Sequence, residues 1–145
     1  MSNHSCVWTI DRTLPSEHGA GCRLLDELLQ RFGAENWTER DLFGIRMALE
    51  EAIVNAIRHG NQLDPGKQVR VECHSSADKI WIKISDEGPG FNPCNVPDCT
   101  KAERLDVPSG RGILLMRNYM SLVEYNAAGN VVVMEKLRPN GQSQN

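Results

Sequence analysis

Residues 79–84, with the sequence Lys-Ile-Trp-Ile-Lys-Ile, place isoleucine at every second position. Successive side chains of a β-strand point to opposite faces, so this pattern predicts a strand in a sheet with only one covered face. Further strands are predicted over residues 6–12, at a sheet edge, over residues 68–73, and as a closing hairpin over residues 122–125 and 131–137. A sheet of about five such strands needs a second layer to cover its apolar face.

Three helices are predicted to form that layer. Leucine and phenylalanine recur at helical spacing before Gly33, which is predicted to end the first helix. The second helix is predicted from Thr38 to His59-Gly60, and the third over residues 111–121, after a proline-rich loop over residues 86–110. The expected fold class is therefore α/β of the α+β kind, a two-layer sandwich with three helices on one face of a mixed, mostly antiparallel sheet.

Size and composition predict a single domain of 145 residues, residues 1–145, with a core over about residues 6–137. A net charge of -3 and the lack of a basic stripe argue against binding to nucleic acid. Neither a signal-peptide pattern nor a long apolar run occurs, so we expect a cytoplasmic protein that does not bind a membrane. The five cysteines include no Cys-X-X-Cys pair, which argues against disulfides, and Cys94 and Cys99 lack two further zinc ligands.

The first motif lies at the end of the second predicted helix. Glu51, Asn55 and His59 follow one another at intervals of four, so they share one stripe beside the apolar face. The Asn55 carbonyl oxygen is a suitable ligand for Mg²⁺, and the Glu51 carboxylate is a suitable acceptor for a proton from a hydroxyl group. The alternative is that Glu51 and Asn55 are ordinary solvated helix residues, while His59 is interpreted as ending the helix and supporting the site.

The second motif follows the strand that is predicted to end at Ser85. Asp86 comes directly after it, with Gly88 and Gly90 close behind. A carboxylate at this point can accept a hydrogen bond from an exocyclic amine such as adenine N6, and the glycines let the backbone approach a flat ring closely. A tight surface turn is the alternative interpretation.

The third motif opens the last predicted helix. Gly110 and Gly112 precede an apolar helical segment, and the free N–H groups at a helix start bind phosphate well. Arg111, between the two glycines, supplies a positive charge suited to a phosphate chain. The motif is not a Walker A loop, and an ordinary helix entrance remains the alternative.

Taken together and in this order, the three motifs resemble those of the GHKL ATPases. Residues 51–60 resemble the N box, residues 86–90 the G1 box, and residues 110–112 the G2 box. The form Glu-X-X-X-Asn-Ala-X-X-His-Gly is most similar to that of the anti-sigma-factor serine kinases. The resemblance covers roughly residues 6–137.

This resemblance implies a Bergerat fold that binds ATP between the second and third helices and the sheet, under a lid formed by residues 91–109. It implies that Glu51 is the catalytic base and Asn55 the Mg²⁺ ligand, and that Asp86 binds adenine. The remaining residues expected to contact the nucleotide are His59, Gly60, Gly88, Gly90, Gly110, Arg111 and Gly112. The protein substrate it implies is a serine on a STAS-domain anti-anti-sigma protein, and a sigma factor is a further expected partner.

Two other functions and one assembly question stay open from the sequence. The first alternative is a nucleotide-gated module that binds a sigma factor or another regulator without phosphoryl transfer, and the second is a detached catalytic domain of a histidine kinase. A homodimer is expected because Val7, Trp8 and Ile10 put apolar side chains on a predicted edge strand. Cover by the first helix is the alternative explanation for that strand.

Overall fold

The computed structural model describes residues 6–89 and 110–138, with the backbone alone at Cys6, Val7, Gly110 and Arg111. Five strands and three α-helices, with one π-helical turn, make up these two ranges. In chain order they are β1 (Cys6–Pro15), α1 (His18–Gly33), α2 (Glu39–Val54), the π-helical turn (Asn55–Gly60), β2 (Gln68–Ser76), β3 (Lys79–Ser85), α3 (Gly110–Tyr119), β4 (Leu122–Tyr125) and β5 (Val131–Leu137).

The five strands form one sheet in the order β1-β2-β3-β5-β4. Every described strand pair is antiparallel, so the expected mostly antiparallel sheet has no parallel pair among these residues. The predicted edge position of β1 is confirmed. The first two strands run longer than predicted, because they pair with each other from Cys6 opposite Ser76 to Pro15 opposite Gln68.

The hydrophobic core lies between one face of this sheet and the helices. Alternate residues of β2 and β3 point into it, as the isoleucine pattern predicts, and the apolar stripes of α1 and α2 cover them. The fully buried side chains at its centre include Leu28, Phe32, Ile45, Leu49, Val69, Val71, Ile80, Ile82 and Met134. The predicted two-layer fold with three helices is therefore confirmed.

Two apolar side chains of β1, Trp8 and Ile10, are covered within the same chain. Trp8 stacks on Phe32 of α1 with 5.5 Å between ring centroids, and its indole N–H donates to the carboxylate of Glu35. Ile10 is buried. Cover by the first helix, the alternative to a dimer, therefore accounts for these two side chains. The backbone of β1 still has no neighbouring strand on its outer side in the described sheet.

Helix α2 begins as predicted and ends differently. Thr38 is its N-cap and accepts a hydrogen bond from the Asp41 N–H at 3.0 Å. The prediction of one regular helix as far as His59-Gly60 was wrong in its last turn, since Asn55–Gly60 is π-helical. There the Asn61 N–H donates to the Ala56 carbonyl at 2.9 Å, a bond that spans five residues instead of four.

Within the described ranges, no helix has the length and apolar character needed to span a membrane.

Candidate functional site

The stripe predicted on the second helix is drawn into the interior of the protein. Asn55 is buried with 5% exposure, and Glu51 is half-buried. Burial raises the pKa of the Glu51 carboxyl, with a smaller contribution from the Glu50 charge, while nearby His59 and Asn55 lower it. These two residues are therefore not the solvated helix side chains of the alternative interpretation.

The Glu51 carboxylate lies against the first turn of α3. A Cβ atom placed on Gly112 would lie 2.2 Å from Glu51 Oε2, a distance that no packed side chain could adopt. A side chain at this position would displace the Glu51 carboxylate, and the first and third motifs are in direct contact. Helix α3 begins at Gly110, so its first turn lies close to the carboxylate.

Asp86 follows the end of β3, as predicted, and two glycines enclose it. Its backbone N–H donates to the Asn130 carbonyl at 2.9 Å, and its Oδ1 accepts from the Gly88 N–H at 2.9 Å. A Cβ atom on Gly60 would lie 2.4 Å from Asp86 Oδ2, and one on Gly88 would lie 1.8 Å from the Gly60 carbonyl oxygen. The second motif is therefore packed directly against the end of the first.

The surroundings of Asp86 disfavour its charged form. Burial raises the pKa of the carboxyl from 3.8 to about 6, against the opposing effects of the Gly88 N–H and the Lys67 charge. A solvated turn carboxylate would not be shifted in this way. The alternative of a simple surface turn is therefore not consistent with Asp86.

Tyr125, on β4, is a member of the site that the sequence motifs missed. Burial raises the pKa of its hydroxyl to about 12, the Asn55 side chain lowers it, and the charges of Glu51 and Asp86 raise it. The hydroxyl is therefore close to all three motif residues. The available signal was the alternation of β4, which places Tyr125 on the same inward face as buried Val123.

Asn61 is a second residue that the motifs missed. It is fully buried next to the Asp86 turn, although the loop of turn-forming residues that contains it predicts an exposed position.

Several predicted site features lie outside the described residues, namely Gly90, the lid over residues 91–109 and the side chain of Arg111.

A comparison of the sequence with known protein families agrees with this arrangement of the three motifs. Residues 15–136 match the histidine kinase-like ATPase domain family. The chain belongs to this family. The match includes all three motifs and the described elements from α1 to β5, apart from Leu137, but only the last residue of β1. The resemblance to the GHKL ATPases is therefore confirmed.

The names of two similar proteins agree with this family. The anti-sigma F factor of Oceanobacillus iheyensis is 34% identical over 105 residues, which are 68% of this chain and 71% of that protein. The serine-protein kinase RsbW of Listeria innocua is 28% identical over 102 residues, 63% of each chain. This family member is therefore an ATPase domain of the anti-sigma-factor kinase type.

A solved structure supports the fold of the family. The crystal structure of the RsbU and RsbW domains of Rv1364c from Mycobacterium tuberculosis superposes with a TM-score of 0.57 at 18% identity. It covers 92% of this chain, and this chain spans 34% of that one. At 18% identity, this similarity is evidence for the fold alone.

Proposed function

We propose that this chain is an ATP-dependent protein serine kinase, which transfers the γ-phosphoryl group of Mg²⁺-ATP to a serine of a STAS-domain anti-anti-sigma protein. The observation that carries the proposal is the position of Glu51. Its carboxylate is half-buried, has a raised pKa, and lies at the opening of α3, where a phosphate chain is expected to bind.

The adenine ring binds beside Asp86 in this proposal. The carboxylate accepts a hydrogen bond from the exocyclic amine, and the packed Gly60 and Gly88 leave a surface without side chains for a flat ring. The phosphates lie at the start of α3, which begins at Gly110 and includes Gly112. Arg111 lies between these two glycines in the sequence, and its positive charge suits a phosphate chain.

The side chains of Asn55 and Glu51 fit a hard cation at the phosphates. Both carry oxygen atoms, and both lie on the stripe that meets the first turn of α3. Mg²⁺ prefers such ligands, and when bound it neutralises charge on the phosphates. We assign Asn55 as its protein ligand and His59 as a supporting residue of the same stripe.

Glu51 is the catalytic base in this proposal. A raised pKa makes its carboxylate a stronger proton acceptor than a solvated glutamate, so it can take the proton of the attacking serine hydroxyl. The nearby His59 lowers the pKa of Glu51 and so favours its ionised form. The buried hydroxyl of Tyr125 helps to exclude water on the sheet side.

Incubation with γ-labelled ATP, Mg²⁺ and the STAS-domain protein encoded nearby tests the proposal. We expect label on a serine of the STAS protein and none when Mg²⁺ is chelated. A folded chain that binds ADP but transfers no label would contradict the kinase function and favour the second candidate.

The second candidate is a nucleotide-gated module that binds a sigma factor or another regulator without transferring phosphate. The names of the relatives favour it, since the protein at 34% identity is called an anti-sigma F factor and the one called a kinase is 28% identical. Such a module would retain Asp86 and the glycines but would not need an ionised Glu51. The labelling experiment therefore separates the two candidates.

Asp86 is expected to make ADP binding depend on pH. Its pKa of about 6 means that acidification from about pH 8 to about pH 5 protonates the carboxyl and removes the charged acceptor for the adenine amine. We expect the affinity for ADP, measured by calorimetry, to fall roughly tenfold over this range. The variant Asp86→Asn should bind ADP weakly at every pH in the range.

The same variant should stabilise the ligand-free protein. Because the folded-state pKa of Asp86 lies above its ordinary value of 3.8, this group's contribution to stability is lost as the pH rises through about 6. Asp86→Asn has no carboxyl to ionise and so avoids that loss. We expect its free energy of unfolding near pH 8 to exceed that of the wild type by on the order of 1 kcal/mol, allowing for partial solvent screening. Thermal unfolding measures it. An Asp86→Asn variant that binds ADP like the wild type, or is less stable near pH 8, would contradict this assignment.

We also propose a homodimer, because β1 leaves one backbone edge unpaired in the described sheet. A second copy can pair with that edge even though α1 covers Trp8 and Ile10. We expect light scattering at micromolar concentration to give twice the mass of one chain. A monomer mass that persists with ADP bound would reject the dimer.

A further inference from the structure

The side chain of Asn61 is fully buried, with 0% exposure, directly after the π-helical turn. Its amide nitrogen donates to Ser16 Oγ at 2.9 Å and to the Gln68 carbonyl at 3.0 Å. Its Oδ1 accepts from the backbone N–H of Glu87 at 2.7 Å. Both amide hydrogens and the oxygen are therefore used, which fixes the orientation of the side chain.

The partners of Asn61 are also bonded to their neighbours. Ser16 Oγ donates to the Lys67 carbonyl at 2.8 Å, and the Glu87 carboxylate accepts from the Gln68 N–H at 2.8 Å. Ser16 precedes α1, Gln68 begins β2, and Glu87 follows β3. This network joins three segments that are far apart in the sequence, with Asn61 at its centre.

The π-helical turn explains how Asn61 reaches this position. The bond from the Asn61 N–H to the Ala56 carbonyl encloses one residue more than an α-helical turn, so the chain leaves the helix in a different direction. The same turn places Gly60 against the Asp86 carboxylate and its carbonyl against Gly88. Residues 60 and 61 therefore contact the Asp86 turn at three consecutive positions, 86, 87 and 88.

We propose that Asn61 is a positioning residue for the adenine pocket. It does not contact the nucleotide. It holds the Glu87 N–H through Oδ1, and this contact fixes the turn that aims the Asp86 carboxylate. The inference rests on the proposed role of Asp86 in binding adenine, and it adds the residue that makes this carboxylate selective for the adenine base.

The test compares ADP and GDP binding by calorimetry, well below the melting temperature of each variant. In Asn61→Ala the Glu87 N–H loses its acceptor and the turn is released. We expect ADP affinity to fall roughly tenfold, which corresponds to about 1.4 kcal/mol, and the preference for ADP over GDP to shrink toward none. Asn61→Asp keeps the acceptor oxygen for the Glu87 N–H but loses the amide hydrogens that bond Ser16 and the Gln68 carbonyl. It should therefore lower the melting temperature and still retain most of the preference, which gives a second test of the same contact.

Two control variants separate positioning from general stability. Ser16→Ala removes one partner of the Asn61 amide but leaves the Glu87 contact, and Leu28→Ala opens the core far along α1. Both should lower the melting temperature and keep the wild-type preference for ADP. A folded Asn61→Ala with the wild-type preference, or a folded Asn61→Asp without it, would overturn the inference. A wild-type chain that binds ADP and GDP equally would instead reject the proposed role of Asp86.

Discussion

Glu51→Gln is expected to abolish phosphoryl transfer while leaving ADP binding unchanged. The amide has nearly the same shape as the carboxylate but cannot accept the serine proton, and loss of a general base lowers the rate on the order of 10²–10⁴-fold. Transfer of label from γ-labelled ATP to the STAS protein measures the rate, and calorimetry measures ADP binding. An equal loss of binding and transfer would mean that Glu51 has a structural role.

Glu50→Gln is the matched control for this variant. Glu50 is exposed and adjacent in sequence, and its charge contributes to the raised pKa of Glu51. Removing that charge should lower the pKa of Glu51 and leave transfer near neutral pH within a few-fold of the wild type. The acidic limb of the pH–rate profile should move to lower pH. A Glu50→Gln variant that loses transfer as fully as Glu51→Gln would contradict the role of Glu51 as the base.

Gly88→Ala is expected to reduce ADP affinity by about 100-fold, which corresponds to about 2.7 kcal/mol. The new Cβ would lie 1.8 Å from the backbone carbonyl oxygen of Gly60, and no change of side-chain rotamer can relieve a clash with backbone. The loop or the π-helical turn must move, and the Asp86 carboxylate moves with it. Calorimetry with ADP measures the loss, and thermal unfolding should show destabilisation of about 1–3 kcal/mol.

Gly33→Ala is the corresponding control. A Cβ atom at this position, at the end of α1, has nothing within 4 Å. The substitution should leave ADP affinity unchanged and stabilise the protein by about 0.5–1 kcal/mol, because alanine loses less backbone freedom than glycine. If Gly88→Ala binds ADP as well as Gly33→Ala does, the packed glycines are not part of the nucleotide site.

Most of the fold could be predicted from local sequence patterns. The spacing of Ile80, Ile82 and Ile84 indicated a strand with one covered face, and all three are buried. Thr38 marked the start of α2 correctly. Patterns of this kind depend only on where successive side chains point along one element, so the sequence displays them directly.

The candidate site was predicted only in part. The sequence singled out Glu51, Asn55 and Asp86, whose roles stay predictions, and the structure brings the three together around Tyr125. Neither Tyr125 nor Asn61 belongs to a motif. In the sequence, Asn61 cannot be told apart from an exposed polar residue of a turn-rich loop. Their importance comes from partners that are distant along the chain.

The sequence by itself determined the alternation that makes the sheet, the helical stripes that cover it, and the order of three motifs that places the chain in its family. The tertiary structure alone decided that α2 ends in a π-helical turn, that Gly112 meets Glu51, and that Gly60 and Gly88 enclose Asp86. It also decided the pKa values, because burial raises them and burial is a property of the assembled layers. The physical reason is that local patterns fix the direction of each side chain, whereas contacts between residues 51 and 112, or 60 and 88, exist only after the chain has closed on itself.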